Sequence, residues 1–142
     1  MIALIVATHG EFSREIVKSA EMIFGKQENI SSITFNPGEG PDDLQLKYQK
    51  ALNELDSNDG TLFLVDLFGG SPFNAAALIA AENEKMDVIT GINMPMLLEC
   101  LDKRNYSSLI DLVESIRQTA TEGVRTLKQS LTASSISEDG DL

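Results

Sequence analysis

Ile2-Ala3-Leu4-Ile5-Val6-Ala7-Thr8-His9-Gly10 decides the fold. Six consecutive aliphatic or small residues leave no polar face. That pattern marks a strand buried on both sides, as in a parallel sheet covered by helices. The run stops at Thr8-His9-Gly10, and His9 is the single histidine among 142 residues. In open parallel sheets, ligands and chemistry gather at the carboxyl ends of the strands. The side chain best suited to carrying a proton or a phosphoryl group near neutral pH therefore stands where such a fold does its work. A surface-loop histidine with no role is the plainer alternative.

Outward from this strand the chain alternates. Phe12, Ile16, Ala20, Ile23 and Phe24 recur at helical spacing and stop at Gly25, a favoured helix terminator. Residues 30–35 read as a second strand, followed by the rigid loop Asn36-Pro37-Gly38-Glu39-Gly40-Pro41. An amphipathic helix over 42–55 carries Leu44, Tyr48, Ala51, Leu52 and Leu55. Thr61-Leu62-Phe63-Leu64-Val65-Asp66 is a second doubly buried run, and Pro72 suits the first turn of the helix expected through Glu82. A fourth strand spans 86–92, and helices follow over 96–103 and from 109 to about 121. Residues 122–128 fit either helix or strand, because Gly123 interrupts the helical pattern while Val124 and Leu127 suit both. The Ser-rich, acidic end reads as a flexible tail or the start of a linker. The alternation implies an α/β, doubly wound, mostly parallel sheet with right-handed crossovers.

Composition narrows the function. The length suits one domain. With 42% hydrophobic residues the chain can bury a core without staples, and one cysteine, Cys100, makes no intramolecular disulfide. Neither a signal peptide nor an apolar run of about 20 residues is evident, so the expected location is cytoplasmic. A net charge of -11, from 22 acidic and 11 basic side chains, argues against nucleic acid and against anionic membranes. One histidine and one cysteine make no metal site. Met22, Met94 and Met96 are expected in the core.

Two strand ends hold ionisable groups. The first strand ends at His9 and the third at Asp66, and these strands are often neighbours in doubly wound sheets. A carboxylate bonded to one imidazole nitrogen fixes the tautomer and leaves the other nitrogen free as a nucleophile. Asp66 as a mere turn residue is the alternative. Gly69-Gly70-Ser71-Pro72 opens the third helix. There, glycines let backbone N–H groups approach an anion and the helix end adds positive character. Ser71 either caps that helix or donates to a phosphoryl oxygen. The loop has neither the lysine of a Walker loop nor a dinucleotide fingerprint. That points to a phosphoryl group carried on the protein rather than a bound nucleotide. Phe68, in the same loop, is a candidate for an apolar docking rim, with structural packing as the alternative.

Ile5-Val6-Ala7-Thr8-His9-Gly10, Phe63-Leu64-Val65-Asp66 with Gly69-Gly70-Ser71-Pro72-Phe73-Asn74-Ala75-Ala76, and Gly91-Ile92-Asn93-Met94-Pro95-Met96-Leu97 together resemble the IIA component of the mannose-family sugar phosphotransferase system (PTS). The likeness runs from Met1 to about Lys128. It implies that His9 takes a phosphoryl group on Nε2 from the phosphocarrier protein HPr and passes it to a IIB unit. IIB then phosphorylates sugar entering through IIC/IID membrane subunits, and IIA needs no cofactor and no contact with sugar. The resemblance puts Asp66 on Nδ1–H and the Ser71 hydroxyl near the phosphoryl group. It also implies a homodimer that exchanges an antiparallel C-terminal strand, which assigns 122–128 to that strand, with a IIA domain over 1–130 and a tail over 131–142. Phe68 stands where some relatives carry Trp, and Glu11 follows Thr-His-Gly; both bear on partner preference. Three alternatives fit less well. A receiver-type domain with Asp66 as phosphoacceptor lacks the acidic pair after the first strand and a late lysine. A nucleotide or flavin module lacks a fingerprint. The phosphohistidine domain of a dihydroxyacetone kinase system shares the architecture but fits Gly-Gly-Ser-Pro-Phe-Asn less well.

Overall fold

A computed structural model describes residues 1–136. The elements are β1 (Ala3–His9), α1 (Phe12–Phe24), β2 (Ile30–Phe35), α2 (Pro41–Glu54), β3 (Thr61–Val65), α3 (Ser71–Ala80), β4 (Met86–Ile89), α4 (Met94–Lys103), α5 (Leu109–Glu122) and α6 (Leu127–Ile136). All strand pairings are parallel, in the order β2-β1-β3-β4. β1 and β3 are therefore neighbours, as first and third strands often are in a doubly wound sheet. Ala7 pairs with Val65, so His9 and Asp66 lie at adjoining strand ends.

The sheet separates two cores, and β1 serves both. Ile2, Leu4 and Val6 pack with Ile16, Leu97, Leu101 and Leu112 under α1, α4 and α5. Ile5 and Ala7 pack with Leu44, Tyr48, Phe63 and Ala76 under α2 and α3. The side-chain alternation of a strand makes one continuous apolar run feed two layers. Ile2, Leu4, Ile5 and Val6 are at most 1% exposed, each worth about 1.5–3 kcal/mol relative to exposure.

A buried cation ties the amino ends of the strands together. Arg104, 1% exposed, donates from Nη1 to the carbonyls of Ile2 (3.2 Å) and Asn29 (3.0 Å) and from Nη2 to Gln27 Oε1 (3.0 Å) and the Glu28 carbonyl. Its own carbonyl accepts from Ile2 N–H. Sequence reading had no signal for this, since an arginine after a helix usually faces water.

At four places the single chain departs from the sequence reading. Residues 122–128 form no strand in this chain. α5 runs through Glu122, and Gly123 continues helical geometry (φ -71°, ψ -14°) before Leu127 opens α6. Gly123 is there for space: a Cβ would lie 2.6 Å from Pro95 Cγ. The tail expected from 131 is helical through Ile136, and the remainder of that stretch lies outside the described residues. Met22 is 90% exposed rather than core, whereas Met96 is buried and Met94 packs against the core. The fourth strand ends its ladder at Ile89. Gly91 then turns (φ 75°), and Ile92 N–H reaches the Val65 carbonyl at 3.1 Å.

Candidate functional site

Three loops converge where β1 and β3 end. Thr8, fully buried, accepts Ser13 N–H on Oγ1 (2.7 Å) and donates to the His9 carbonyl (3.1 Å). This replaces the cap that Glu11 does not supply to α1. Gly10 turns through φ 57° and donates its N–H to the Phe35 carbonyl (2.7 Å). A left-handed turn of this kind suits glycine. It directs the His9 side chain outward, where 44% of it is exposed.

Asp66 holds the histidine twice. Its Oδ2 accepts the His9 backbone N–H at 3.0 Å and faces ring Nδ1 at 2.9 Å. A carboxylate only accepts, so Nδ1–H is the donor to Asp66, and in the neutral ring that tautomer leaves the lone pair on Nε2. Asp66 Oδ1 is buried without a partner among the described residues, so the carboxylate's hydrogen bonding is concentrated on His9. Phe35 meets the imidazole edge-on, centroids 5.9 Å apart at 78°.

The opposite wall is backbone. A Cβ on Gly70 would lie 3.0 Å from His9 Cε1 and 3.6 Å from Nε2. Gly69 turns at φ 82°, and its carbonyl accepts Asn74 Nδ2 at 3.1 Å, which fixes the loop. Gly70 is the N-cap of α3 and Ser71 its first helical residue, so the Ser71 hydroxyl makes no cap. The helix ladder begins with Asn74 N–H on the Gly70 carbonyl (2.9 Å). Beside the His9 ring there is thus the glycine that caps the head of a helix, a setting that favours an anion.

Around this centre the rim is apolar and mixed in charge. Phe68 is 80% exposed and stacks at a tilt on Phe73, centroids 4.7 Å apart; Leu67 and Phe12 are also exposed. Glu11 pairs with Arg14 at 2.9 Å, both well exposed. The structure brings His9, Asp66 and Gly70 together; Gly69 and Ser71 flank Gly70 in chain order, and Phe68 and Glu11 are exposed nearby. Sequence reading missed Phe35 and Tyr48. Tyr48 is wholly buried and donates its hydroxyl to the Pro72 carbonyl at 2.8 Å. Phe35 reaches the His9 ring through strand order, and Tyr48 reaches Pro72 through the packing of α2 beside α3. Among the described residues no three His, Cys, Asp or Glu side chains group as metal ligands. No described helix is long and apolar enough to cross a membrane.

Comparison with known proteins identifies the family. The family model EIIA-man, described as PTS system fructose IIA component, matches residues 3–117. The chain is 39% identical over 131 residues to the PTS system fructose-specific EIIA component of Bacillus subtilis, covering 92% of this chain and 90% of that one. It is 46% identical over 128 residues to the PTS system mannose-specific EIIAB component of Escherichia coli, covering 89% of this chain but only 40% of that protein. The chain thus spans less than half of that relative. Among solved structures, phosphotransferase system component EIIA from Streptococcus agalactiae superposes with a TM-score of 0.83 at 30% identity, covering 91% of this chain and 99% of that one. The chain belongs to the mannose-family IIA components of the sugar phosphotransferase system.

Proposed function

We propose that the protein is a phosphocarrier, with His9 accepting a phosphoryl group from phospho-HPr and passing it to a IIB component for coupled sugar uptake and phosphorylation. In the first step the Nε2 lone pair forms a bond to phosphorus while the bond from phosphorus to the donor breaks. In the second step the His9 N–P bond breaks as the IIB acceptor forms its own. Asp66 acts through Nδ1–H, holding the tautomer and stabilising the imidazolium character that develops. Gly69, Gly70 and Ser71 line the phosphoryl oxygens. The observation that carries this reading is the contact of Asp66 Oδ2 with Nδ1 at 2.9 Å, on a ring whose other side faces Gly70 closely enough that a Cβ there would lie 3.6 Å from Nε2.

Phe68 and Glu11 belong to the docking rim of both partners in this reading, and the protein works in the cytoplasm beside IIC/IID. A receiver role is disfavoured because Asp66 Oδ2 is engaged twice by His9. Dimerisation fits two features. A groove of about 610 Å³ runs along the free edge of β4 against α3, lined by Phe73, Ala77, Met86 and Val88. Val124, Leu127 and Leu131 are exposed beyond α5. A C-terminal segment exchanged into a second copy's β4 edge would cover both; a sedimentation measurement that finds only monomer refutes it.

The phosphocarrier reading is tested by incubation with phosphoenolpyruvate, enzyme I and HPr, followed by intact mass under alkaline conditions. One acid-labile phosphoryl group is expected, and none in His9→Ala. No gain in the wild type, or a gain retained in His9→Ala, refutes it.

A further inference from the structure

We propose that Tyr48 is a positioning residue for phosphoryl binding, acting from beneath the site through the Pro72–Phe73 peptide. This rests on the phosphohistidine reading above. Tyr48 lies on α2, wholly buried, with its ring edge-on to Phe63 at 5.2 Å and its hydroxyl on the Pro72 carbonyl at 2.8 Å. One turn earlier on α2, Gln45 donates Nε2 to the Ala75 carbonyl at 2.9 Å. Two side chains three apart on α2 thus grip two carbonyls three apart on α3.

The two grips differ in what lies across each peptide. The α3 ladder starts at Asn74 N–H, so the N–H groups of Ser71 and Phe73 precede it, and Pro72 has none. The Pro72 carbonyl and the Phe73 N–H are the two ends of one peptide group. Donation to the carbonyl draws charge through that peptide and strengthens the N–H as a donor. Phe73 N–H belongs to the turn whose cap, Gly70, lies so near the His9 ring that a Cβ on it would stand 3.0 Å from Cε1. Ala75 shares its peptide with Ala76, whose N–H already lies within the helix. Gln45 therefore steadies α3 without tuning a free donor. Burial, with the charge of Asp66 adding to it, pushes the Tyr48 phenol up from its ordinary value. The hydroxyl thus stays a donor throughout the neutral range.

The test compares wild type, Tyr48→Phe and Gln45→Met for the equilibrium division of phosphoryl between HPr and this protein. It also follows the Phe73 amide by ¹H–¹⁵N NMR before and after phosphorylation. Tyr48→Phe is expected to lower the equilibrium constant about three- to tenfold and to shrink the Phe73 response. Gln45→Met is expected to lower Tm alone. Fluorotyrosine incorporated in a Tyr106→Phe background strengthens the phenol as a donor without removing it, and is expected to shift the equilibrium the opposite way. A wild-type division and Phe73 response in Tyr48→Phe, or no shift with fluorotyrosine, overturns the proposal. A wild type that takes up no phosphoryl group refutes the phosphohistidine reading instead, and that arm is read first.

Discussion

Gly70→Ala is the sharpest perturbation of the site, because one methyl group tests the close approach of loop and ring. Gly70 has φ -76° and ψ 171°, extended geometry that any residue adopts, so the substitution carries no backbone strain. Its Cβ would stand 3.0 Å from His9 Cε1, whereas comfortable carbon contacts lie at about 3.5–4.0 Å. Ring or loop must therefore give by about half an ångström. If the ring tilts, the 2.9 Å bond between Nδ1 and Asp66 lengthens; if the loop retreats, the head of α3 leaves Nε2. Either way the reacting geometry is spoiled at a surface where little packing is at stake. Transfer from phospho-HPr is expected to fall about 10- to 100-fold, with stability changed by less than about 1 kcal/mol. Rapid-quench transfer rates and urea unfolding read the two quantities separately. An alanine variant that transfers at the wild-type rate would refute the account of the loop.

The other predictions concern tautomer, core and acid response. Asp66→Asn is expected to slow transfer at least about tenfold, since an amide can present its N–H to Nδ1 and reverse the tautomer; an unchanged rate sinks that role. Arg104→Met is expected to cost about 2–4 kcal/mol in urea unfolding, because the carbonyls of Ile2 and Glu28 lose the guanidinium and that of Asn29 keeps only Leu4 N–H; a loss under about 1 kcal/mol would show the knot to be dispensable. Glu99 accepts hydroxyls from Thr119 (2.6 Å) and Ser115 (2.8 Å), and Thr119 first among these holds its carboxyl below the ordinary 4.5. A depressed carboxyl contributes stability that is present above its unfolded value and lost as pH falls through the folded one. The stability gap between wild type and Glu99→Gln should therefore be full at neutral pH and close below 4.5; a gap unchanged at acid pH contradicts the coupling.

Much of this site was legible because its chemistry is tied to strand ends. A doubly buried run must be a central strand, and its first polar residues must lie at the sheet edge; that located His9, and the same logic located Asp66. The loop glycines were read for their permissiveness. The specific reason for Gly70, a ring lying where its Cβ would be, needs coordinates. Phe35 reaches His9 only because β2 pairs with β1, and Tyr48 reaches Pro72 only because α2 and α3 share one face. Periodicity along a chain carries neither fact. Arg104 was hidden for another reason: its partners are carbonyls, which leave no trace in sequence. Residues 122–128 were assigned to a strand by family likeness. In a single chain, the preference of 109–122 for helix and the contact of Gly123 with Pro95 decide instead.

The central claim is that Asp66 leaves Nε2 of His9 as the phosphoryl acceptor. Phosphorylated protein carrying ¹⁵N-labelled histidine tests it directly by NMR. The account predicts phosphorus on Nε2 with the proton retained on Nδ1; phosphorus on Nδ1, or on a carboxylate in place of His9, contradicts it.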